Sequence, residues 1–281
     1  MTNNLSHYPV VVIGATYTGL GLASADPERV LVIERSASIG YEYTAAYQAR
    51  PLNADANWSE PAQQLIASFR ERDTISPDGR LHLPGMSPIT FKWAKERALH
   101  LNLMTEVLAI TPQSGGFKLV IYNASGRQEL TAEQVIDTTS TCSSRPSYAK
   151  DSGCIRAKWL HAMLHPGSSE APIPELGQED ASSIIRGRFD NEMIYRCQLE
   201  LHDSWPAARQ KLYEAWSQRS EQWRDWGIVA MADTFVYEVE PGRYQLEDGL
   251  VWVPSCGYDN LLTAFDTGIR YGEELKQHAI R

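Results

Sequence analysis

Residues 10–35 read VVVIGATYTGLGLASADPERVLVIER, two β-branched runs joined by a glycine turn and a short helical segment. The runs 10–13 and 30–33 consist of Val, Leu and Ile, which is typical of parallel strands covered on both faces. Gly14 directly follows the first run. Glu34 directly follows the second run and lies twenty residues after Gly14. This spacing is typical of a turn that binds a phosphate and an acid that binds a ribose hydroxyl. The pattern therefore predicts an α/β domain with a dinucleotide site.

The glycine turn departs from the G-x-G-x-x-G pattern at its centre. Residues 14–19 read GATYTG, so Thr16 replaces the glycine that lets the backbone come closest to the phosphates. A threonine hydroxyl can donate a hydrogen bond to a phosphate oxygen, whereas its β-branch crowds the turn. Because the acid and the spacing are retained, we expect the following helix to bind a pyrophosphate at its N-terminus. A decayed cofactor site is the alternative.

The composition is that of an ordinary globular protein. The 281 residues are 43% apolar and 22% charged, so the chain can bury a large core. The net charge of −9 argues against a nucleic-acid surface, which needs clustered Lys and Arg. The apolar runs are far shorter than the roughly 18 residues of a membrane span, and the N-terminal residues do not resemble a secretion signal. We therefore expect a cytoplasmic protein that binds neither nucleic acid nor membrane; its oligomeric state stays open.

The cysteines and histidines favour neither a disulfide framework nor a metal centre. The four cysteines show no C-x-x-C pairing and are expected to be reduced thiols: Cys142, Cys154, Cys197 and Cys256. His161 and His165 are four residues apart, a spacing that suits a metal if both lie on one helix face. A Pro-Gly pair follows them at once and no third ligand is evident nearby, so no metal site is expected.

The rest of the chain predicts further elements in a recognisable order. Helices are expected over residues 59–72 and 90–102, with Ser59 as the first N-cap and a Pro- and Gly-rich loop over 76–88 between them. Two apolar runs around a Gly-Gly turn then predict a hairpin. Residues 135–139, VIDTT, predict another buried strand.

Residues 151–244 are expected to form a smaller α+β domain. Its approach, residues 165–183, is linker-like because it is dense in Pro, Ser and acid. A strand over 193–201, a helix over 204–226 and a long strand over 228–240 are then expected. Within the helix, apolar residues recur at helical spacing and are expected to be core or interface residues: Leu212, Ala215, Trp216 and Trp223.

With its elements in this order, the chain resembles the FAD-dependent oxidoreductases of the glutathione-reductase-like, two-domain flavoprotein class. The resemblance covers residues 8–48, 90–145 and 245–276, about half of the chain. It implies a Rossmann-like FAD-binding domain that is interrupted in sequence, formed by residues 1–150 and 245–281. Residues 151–244 would then form the substrate domain.

The resemblance also implies where FAD would bind. The adenine would be read by the strand edge that includes Val107, and the pyrophosphate would lie near the VIDTT strand end. Asp259 would bind the ribityl chain or the second phosphate, and the helix from about Asn260 would point its positive end at the flavin. The implied FAD-binding residues are Gly14, Thr16, Tyr17, Thr18, Gly19, Glu34, Arg35, Val107, Thr138, Thr139, Gly257, Asp259 and Asn260. The class places a loop between FAD and substrate, which here would carry Tyr41, Tyr43, Tyr47 and Arg50.

The chain departs from the pattern of this class at several glycines. Besides Thr16, Ser140 replaces the glycine of the "ATG" element that follows the strand at 135–139, and Tyr258 interrupts the final Gly-Asp element. The glycine pair after the second strand survives only as Gly40. The order of the elements therefore supports the fold more strongly than it supports a working cofactor site.

The residues leave three functions open. Glu34 favours FAD or NAD over NADP, because a carboxylate repels a 2′-phosphate. The interrupted layout favours FAD, so the primary prediction is a FAD-dependent oxidoreductase that acts on a small-molecule substrate. In that enzyme the flavin would carry the redox chemistry, and no catalytic base is identified. The alternatives are a non-redox pseudoenzyme or accessory binding protein on the same fold, and an NAD-dependent enzyme.

Overall fold

The structure, a computed structural model, describes residues 6–53, 57–176 and 183–279 and contains two β-sheets with helices packed around them. The strands are β1 (Ser6–Ile13), β2 (Val30–Ile33), β3 (His100–Asn102), β4 (Glu106–Gln113), β5 (Gly116–Asn123), β6 (Gly126–Asp137), β7 (Ile155–Pro166), β8 (Ile184–Arg186), β9 (Met193–Leu199), β10 (Trp226–Met231), β11 (Val236–Val239), β12 (Tyr244–Glu247) and β13 (Leu250–Trp252). The helices are α1 (Tyr17–Ala25), α2 (Tyr41–Thr44), α3 (Glu60–Glu71), α4 (Leu83–Glu96), α5 (Pro146–Asp151), α6 (Trp205–Ser217) and α7 (Leu261–Ala279).

The first sheet is parallel at its centre. Its order is β12–β13–β6–β1–β2–β3, and β13, β6, β1, β2 and β3 run parallel. The predicted hairpin is confirmed as β4 and β5, and β5 pairs with β6 in an antiparallel arrangement. Because β1, β2 and β6 are parallel, their carboxyl ends meet at one edge of the sheet, where ligands bind in open α/β folds.

The predicted strand–turn–helix–strand unit at the start of the chain is confirmed as β1, α1 and β2. Gly14 takes a φ of +98°, which lets the chain turn sharply from β1 into α1. α1 then packs directly against α7 with little space between the two backbones. A Cβ atom at Gly21 would lie 2.0 Å from the carbonyl oxygen of Phe265, and one at Gly268 would lie 2.1 Å from that of Thr18. The two helices therefore approach closely only because both positions lack a side chain.

The second sheet is antiparallel and is formed by β7 to β11. Its order is β10–β7–β9–β8, and β11 also pairs with β7. α6 covers one face, where Ala208 and Leu212 pack against Leu160 and Cys197. The strands of the second sheet lie between residues 155 and 239. The division of the chain into domains at residues 151 and 244 stays a prediction.

The loop predicted over residues 76–88 is wrong in its second half. α4 already begins at Leu83. Pro84 lies in the first turn of this helix, where the missing N–H of proline costs no helical hydrogen bond. A stretch rich in Pro and Gly therefore does not exclude a helix here, and Pro88 also lies within α4.

The helix predicted over residues 90–102 is wrong at its end. The helix stops at Glu96, and Ala98 takes a φ of +51° that reverses the chain. Residues 100–102 then run parallel to β2 as β3. Short apolar runs do not distinguish the last turn of a helix from a short strand, which explains the error.

Two long elements predicted in the second sheet region are each broken in two. The helix over 204–226 ends at Ser217, and a 3₁₀ turn, Glu221–Trp223, follows it. The strand over 228–240 is the pair β10 and β11, because the N–H of Asp233 between them donates to the carbonyl of Ala45 at 2.9 Å. The apolar spacing does not indicate the helix break, because Trp216 before the break and Trp223 after it are buried in the same cluster.

His161 and His165 lie on β7 and not on a helix, so the helical spacing proposed for a metal pair is wrong. Across the described ranges, His, Cys, Asp and Glu nowhere gather in a group of three or more that could hold a metal ion. The linker predicted over 165–183 has no helix or strand from residue 167 to 176, and residues 177–182 lie outside the described residues. None of the helices described combines the length and apolarity needed to cross a bilayer.

Candidate functional site: a cleft at the carboxyl edge of the first sheet

The carboxyl ends of β1, β2 and β6 border a solvent-open cleft with an empty volume of about 630 Å³, here called the carboxyl-edge cleft. Residues from four segments of the chain line it. Six of the residues that the sequence predicted as site residues are among them: Gly14, Glu34, Arg35, Tyr41, Val107 and Thr139. The fold therefore brings the glycine turn predicted to bind a pyrophosphate close to the acid and the strand edge predicted to bind adenosine.

Glu34 is held rigidly at this cleft. Its side chain is buried, with Oε2 accepting a hydrogen bond from the N–H of Ala15 at 3.0 Å and Oε1 accepting one from the N–H of Ser36 at 2.7 Å. Each carboxylate oxygen has a second lone pair. The Glu34 carboxylate can therefore still accept the hydroxyls of a ribose from the cleft side.

Asp137 holds two residues that line the cleft, Thr139 and Ser144. Asp137 was not singled out from the sequence. Its Oδ1 accepts hydrogen bonds from the N–H of Thr139 at 2.8 Å and from the hydroxyl of Thr139 at 2.6 Å, and its Oδ2 accepts one from the N–H of Ser144 at 2.6 Å. Burial raises the pKa of Asp137 despite these bonds. The acid in the VIDTT strand was the available signal, because an acid at the end of a buried strand needs local donors.

Tyr41 lines the same cleft at the start of α2, where a loop had been expected. Burial raises the pKa of Tyr41 well above its ordinary value, and the charges of Glu34, Glu42 and Asp137 add to this. The phenol therefore stays neutral beside three carboxyl groups. Glu42, the next residue along the chain, faces the N-terminus of α1.

The backbone amides at the N-terminus of α1 already have partners within the chain. The N–H of Tyr17 donates to Glu42 Oε1 at 2.7 Å, and that of Thr18 donates to Ser255 Oγ at 3.1 Å. The N–H of Gly19 donates to Thr16 Oγ1 at 3.0 Å, so Thr16 is the side-chain cap of the helix. These are the amides through which a helix N-terminus binds a phosphate.

Glu42 is buried at this position with only 2% of its surface exposed. Its Oε1 accepts a hydrogen bond from the hydroxyl of Ser255 at 2.7 Å in addition to the one from Tyr17, whereas Oε2 is buried without a hydrogen-bond partner. Burial raises the pKa of Glu42 to about 7. The sequence reasoning missed Glu42; its only signal was an acid shortly after Gly40, where the class has a glycine pair.

The space beside Glu42 is filled by aromatic side chains. Tyr17 and Tyr43 are fully buried and meet edge to face, with their ring centroids 5.7 Å apart. The hydroxyl of Tyr43 donates to the carbonyls of Ser255 at 3.2 Å and Tyr258 at 3.1 Å. Both tyrosines belong to the same apolar core as Phe265 of α7. The structure thus places Tyr17 and Tyr43 in the core and not on a cavity wall.

The remaining predicted site residues lie around the start of α7 and against the second sheet. Asn260 caps α7, because its Oδ1 accepts hydrogen bonds from the N–H groups of Leu262 at 3.1 Å and Thr263 at 3.0 Å. Thr138 is buried and accepts a hydrogen bond from the Thr16 hydroxyl at 2.7 Å. Three more predicted residues are placed as follows: Gly257 in a 3₁₀ turn, Asp259 exposed after it, and Arg50 paired with Glu238 of β11 at 3.0 Å.

Tyr47 contacts the second sheet through its backbone. Its carbonyl lies 3.0 Å from Nδ1 of His161 on β7. His161 is buried, and burial lowers its pKa to about 3, so the ring is neutral and Nδ1 donates to this carbonyl. The segment that carries Tyr47 therefore packs directly on the second sheet.

The residues present fit the adenosine end of FAD but not its pyrophosphate. Glu34 and the carboxyl-edge cleft suit a ribose and a base. At the adjoining α1 terminus, however, Glu42 occupies the amide of Tyr17 and would repel a diphosphate placed there. Thr16 and Ser255 occupy the next two amides.

No protein-family model matches this chain, and no curated protein is similar to it in sequence. Solved structures do share its fold. Anhydrotetracycline hydroxylase from Streptomyces rimosus is 15% identical with a TM-score of 0.62, and the match covers 98% of this chain and 63% of the hydroxylase. Glycine oxidase from Geobacillus kaustophilus is 14% identical with a TM-score of 0.60, covering 97% of this chain and 95% of the oxidase. A flavoprotein/dehydrogenase from Cytophaga hutchinsonii is 12% identical with a TM-score of 0.56, covering 98% of this chain and 79% of that protein.

These likenesses establish the fold of the chain. It is an α/β fold shared with proteins named as a hydroxylase, an oxidase and a flavoprotein/dehydrogenase, which supports the flavoprotein resemblance drawn from the sequence. The chain spans less than two thirds of the length of the hydroxylase. The glutathione-reductase-like subclass stays a prediction.

Proposed function

We propose that this chain is a non-redox binding protein on the flavoprotein fold and that its carboxyl-edge cleft binds a nucleoside of the adenosine type. The observation that carries this proposal is the contrast between the Glu34 carboxylate at the cleft and the backbone amides at the N-terminus of α1. Glu34 is fixed at an open cleft with lone pairs available, whereas the amides beside it at the α1 terminus are already paired. A ribose therefore has a partner and a pyrophosphate does not.

Redox chemistry in this fold depends on the flavin, because the protein contributes mainly binding and orientation. A flavin nucleotide that is anchored only through its adenosine lacks the contacts that position its ring. The hydrogen bond of Glu42 to the Tyr17 amide and the packing of Tyr17 and Tyr43 oppose the remaining contacts. These features favour a binding role over a catalytic one.

The test is isothermal titration of the purified protein with adenosine and with 2′-deoxyadenosine. We expect adenosine to bind and the deoxynucleoside to bind at least about tenfold more weakly, because one hydrogen bond to the Glu34 carboxylate is lost. Adenosine 2′-monophosphate should also bind more weakly, since Glu34 repels the phosphate. Equal affinity for adenosine and 2′-deoxyadenosine would contradict the role of Glu34.

Two variants complete this test. The affinity of Glu34→Ala for adenosine should be lower than that of the wild type by about tenfold or more. Glu60→Ala, which removes an exposed acid from the first turn of α3, is the matched control and should bind like the wild type. Circular dichroism of both variants shows whether the fold is retained.

A second candidate function is a FAD-dependent oxidoreductase that acts on a small molecule. The shared fold with a hydroxylase and an oxidase favours it, as does the twenty-residue spacing from Gly14 to Glu34. This function requires Glu42 to leave the α1 terminus when the cofactor binds. Flavin in the purified protein, identified by chromatography after denaturation, would decide for this candidate.

A further inference from the structure

Glu42 makes the contacts at the α1 terminus that a bound anion would make. One carboxylate oxygen accepts hydrogen bonds from the Tyr17 amide and from the Ser255 hydroxyl. The second oxygen is buried without a partner, as is unusual for a carboxyl group placed for structural reasons alone. The α1 terminus is therefore occupied by a side chain of its own chain.

Ser255 extends this arrangement by a second contact. Its Oγ accepts a hydrogen bond from the Thr18 amide while its hydroxyl donates to Glu42. The carboxyl group of Glu42 thus contacts two successive amides, one directly and one through Ser255. A phosphate group at a helix N-terminus is likewise bound by successive amides.

The residue before Glu42 in the chain lines the open cleft. This residue is Tyr41, and its phenol is close enough to both Glu34 and Glu42 for their charges to raise its pKa. Gly14, which also lines the cleft, begins the turn that leads into α1. Removing the Glu42 side chain would therefore free the amide of Tyr17, which lies three residues after the cleft-lining Gly14.

We propose that Glu42 substitutes for a diphosphate at the α1 N-terminus and restricts the carboxyl-edge cleft to ligands that carry no diphosphate. The choice of nucleoside as ligand depends on the function proposed above. The substitution at the helix terminus does not, because it concerns the amides and Glu42 alone. Removing the side chain should open a diphosphate site that the wild type lacks.

The experiment compares wild type, Glu42→Gly and the control Glu60→Gly by isothermal titration with inorganic pyrophosphate, ADP and adenosine. We expect the wild type and the control to bind no pyrophosphate and to bind ADP no more tightly than adenosine. Glu42→Gly should bind pyrophosphate and should bind ADP at least about tenfold more tightly than adenosine. A folded Glu42→Gly variant without pyrophosphate binding would overturn the proposal, as would a wild type that binds pyrophosphate.

Thermal unfolding of the same variants keeps the test valid if Glu42→Gly is unstable. Pyrophosphate should raise the midpoint of Glu42→Gly and of Glu42→Ser but leave the wild-type midpoint unchanged, because a ligand of the native state stabilises it. Failure of both variants to fold in saturating pyrophosphate would contradict the proposal, since the ligand should then replace the lost carboxylate. Absence of adenosine binding together with pyrophosphate binding by Glu42→Gly would reject only the nucleoside ligand.

Discussion

Two glutamates eight residues apart differ in what their carboxylates contact. Glu34 lies at the open cleft and accepts hydrogen bonds from two backbone amides, whereas Glu42 is enclosed at a helix terminus with one oxygen unpaired. Glu34 could be predicted from its position at the end of β2. Glu42 could not, because its role depends on α1 and on Ser255, which lies 213 residues further along the chain.

The pH dependence of stability should report Glu42 directly. Burial raises its pKa from an ordinary value of 4.5 to about 7, so the native state binds the proton more tightly than the unfolded chain does. This contribution is fully present below about pH 4.5 and is lost as the pH rises to about 7, at a cost of roughly 3 kcal/mol. We expect Glu42→Gln to lack this loss, because its amide oxygen can still accept both hydrogen bonds.

The measurement is urea unfolding of wild type and Glu42→Gln between pH 4.5 and 8. The difference between the two proteins is the relevant quantity, because His161 acts in the opposite direction. Burial lowers the pKa of His161 to about 3, so its contribution grows with rising pH in both proteins. A difference that stays constant over this pH range would show that Glu42 is not the buried acid described above.

The hydroxyl of Tyr43 should contribute measurably to stability. Its single proton is shared between two carbonyls, those of Ser255 and Tyr258, and both lose this donor in Tyr43→Phe. We expect a loss of about 1–3 kcal/mol in the free energy of unfolding by urea. Tyr213→Phe, at a half-exposed position on α6, is the control and should change little. A loss in the control as large as that in Tyr43→Phe would contradict the assignment.

At the scale of elements, the contact between α1 and α7 leaves no room for a side chain at Gly21 or Gly268. Gly21→Ala would place a Cβ atom 2.0 Å from the Phe265 carbonyl oxygen, which lies in a helix backbone and cannot move alone. We expect destabilisation of about 3 kcal/mol, measured as a fall in the urea midpoint.

Gly227→Ala is the matched control for this contact. Gly227 lies in β10, and a Cβ atom there has no neighbour within 4 Å. Its substitution should change stability by less than about 1 kcal/mol. If both substitutions had equal effects, the close approach of α1 and α7 would not be the cause.

The elements that the sequence predicted well are those with a long apolar run or a strong turn signal. β1, α1, β2 and the hairpin belong to this group. The errors fall where a short segment is compatible with both a helix and a strand. Residues 100–102 form a strand because they pair with the edge of β2 in a parallel arrangement. The break between β10 and β11 depends on a contact of Asp233 with Ala45, which no local pattern contains.

At the scale of the whole molecule, the fold and the candidate site depend on different residues. The chain shares its α/β fold with solved structures that are 12–15% identical to it. The fold alone does not establish a function. The departures from the glycine pattern predicted a changed turn, but only the structure shows that Glu42 contacts the N-terminus of α1.

The most direct test of the account is whether the wild-type protein retains flavin. Purified protein is incubated with excess FAD, desalted and examined by visible absorption, and any released nucleotide is identified by chromatography after denaturation. We predict a colourless protein, because Glu42, Thr16 and Ser255 occupy the amides that a pyrophosphate needs. Stoichiometric FAD in the wild type would contradict the account and establish the redox function instead.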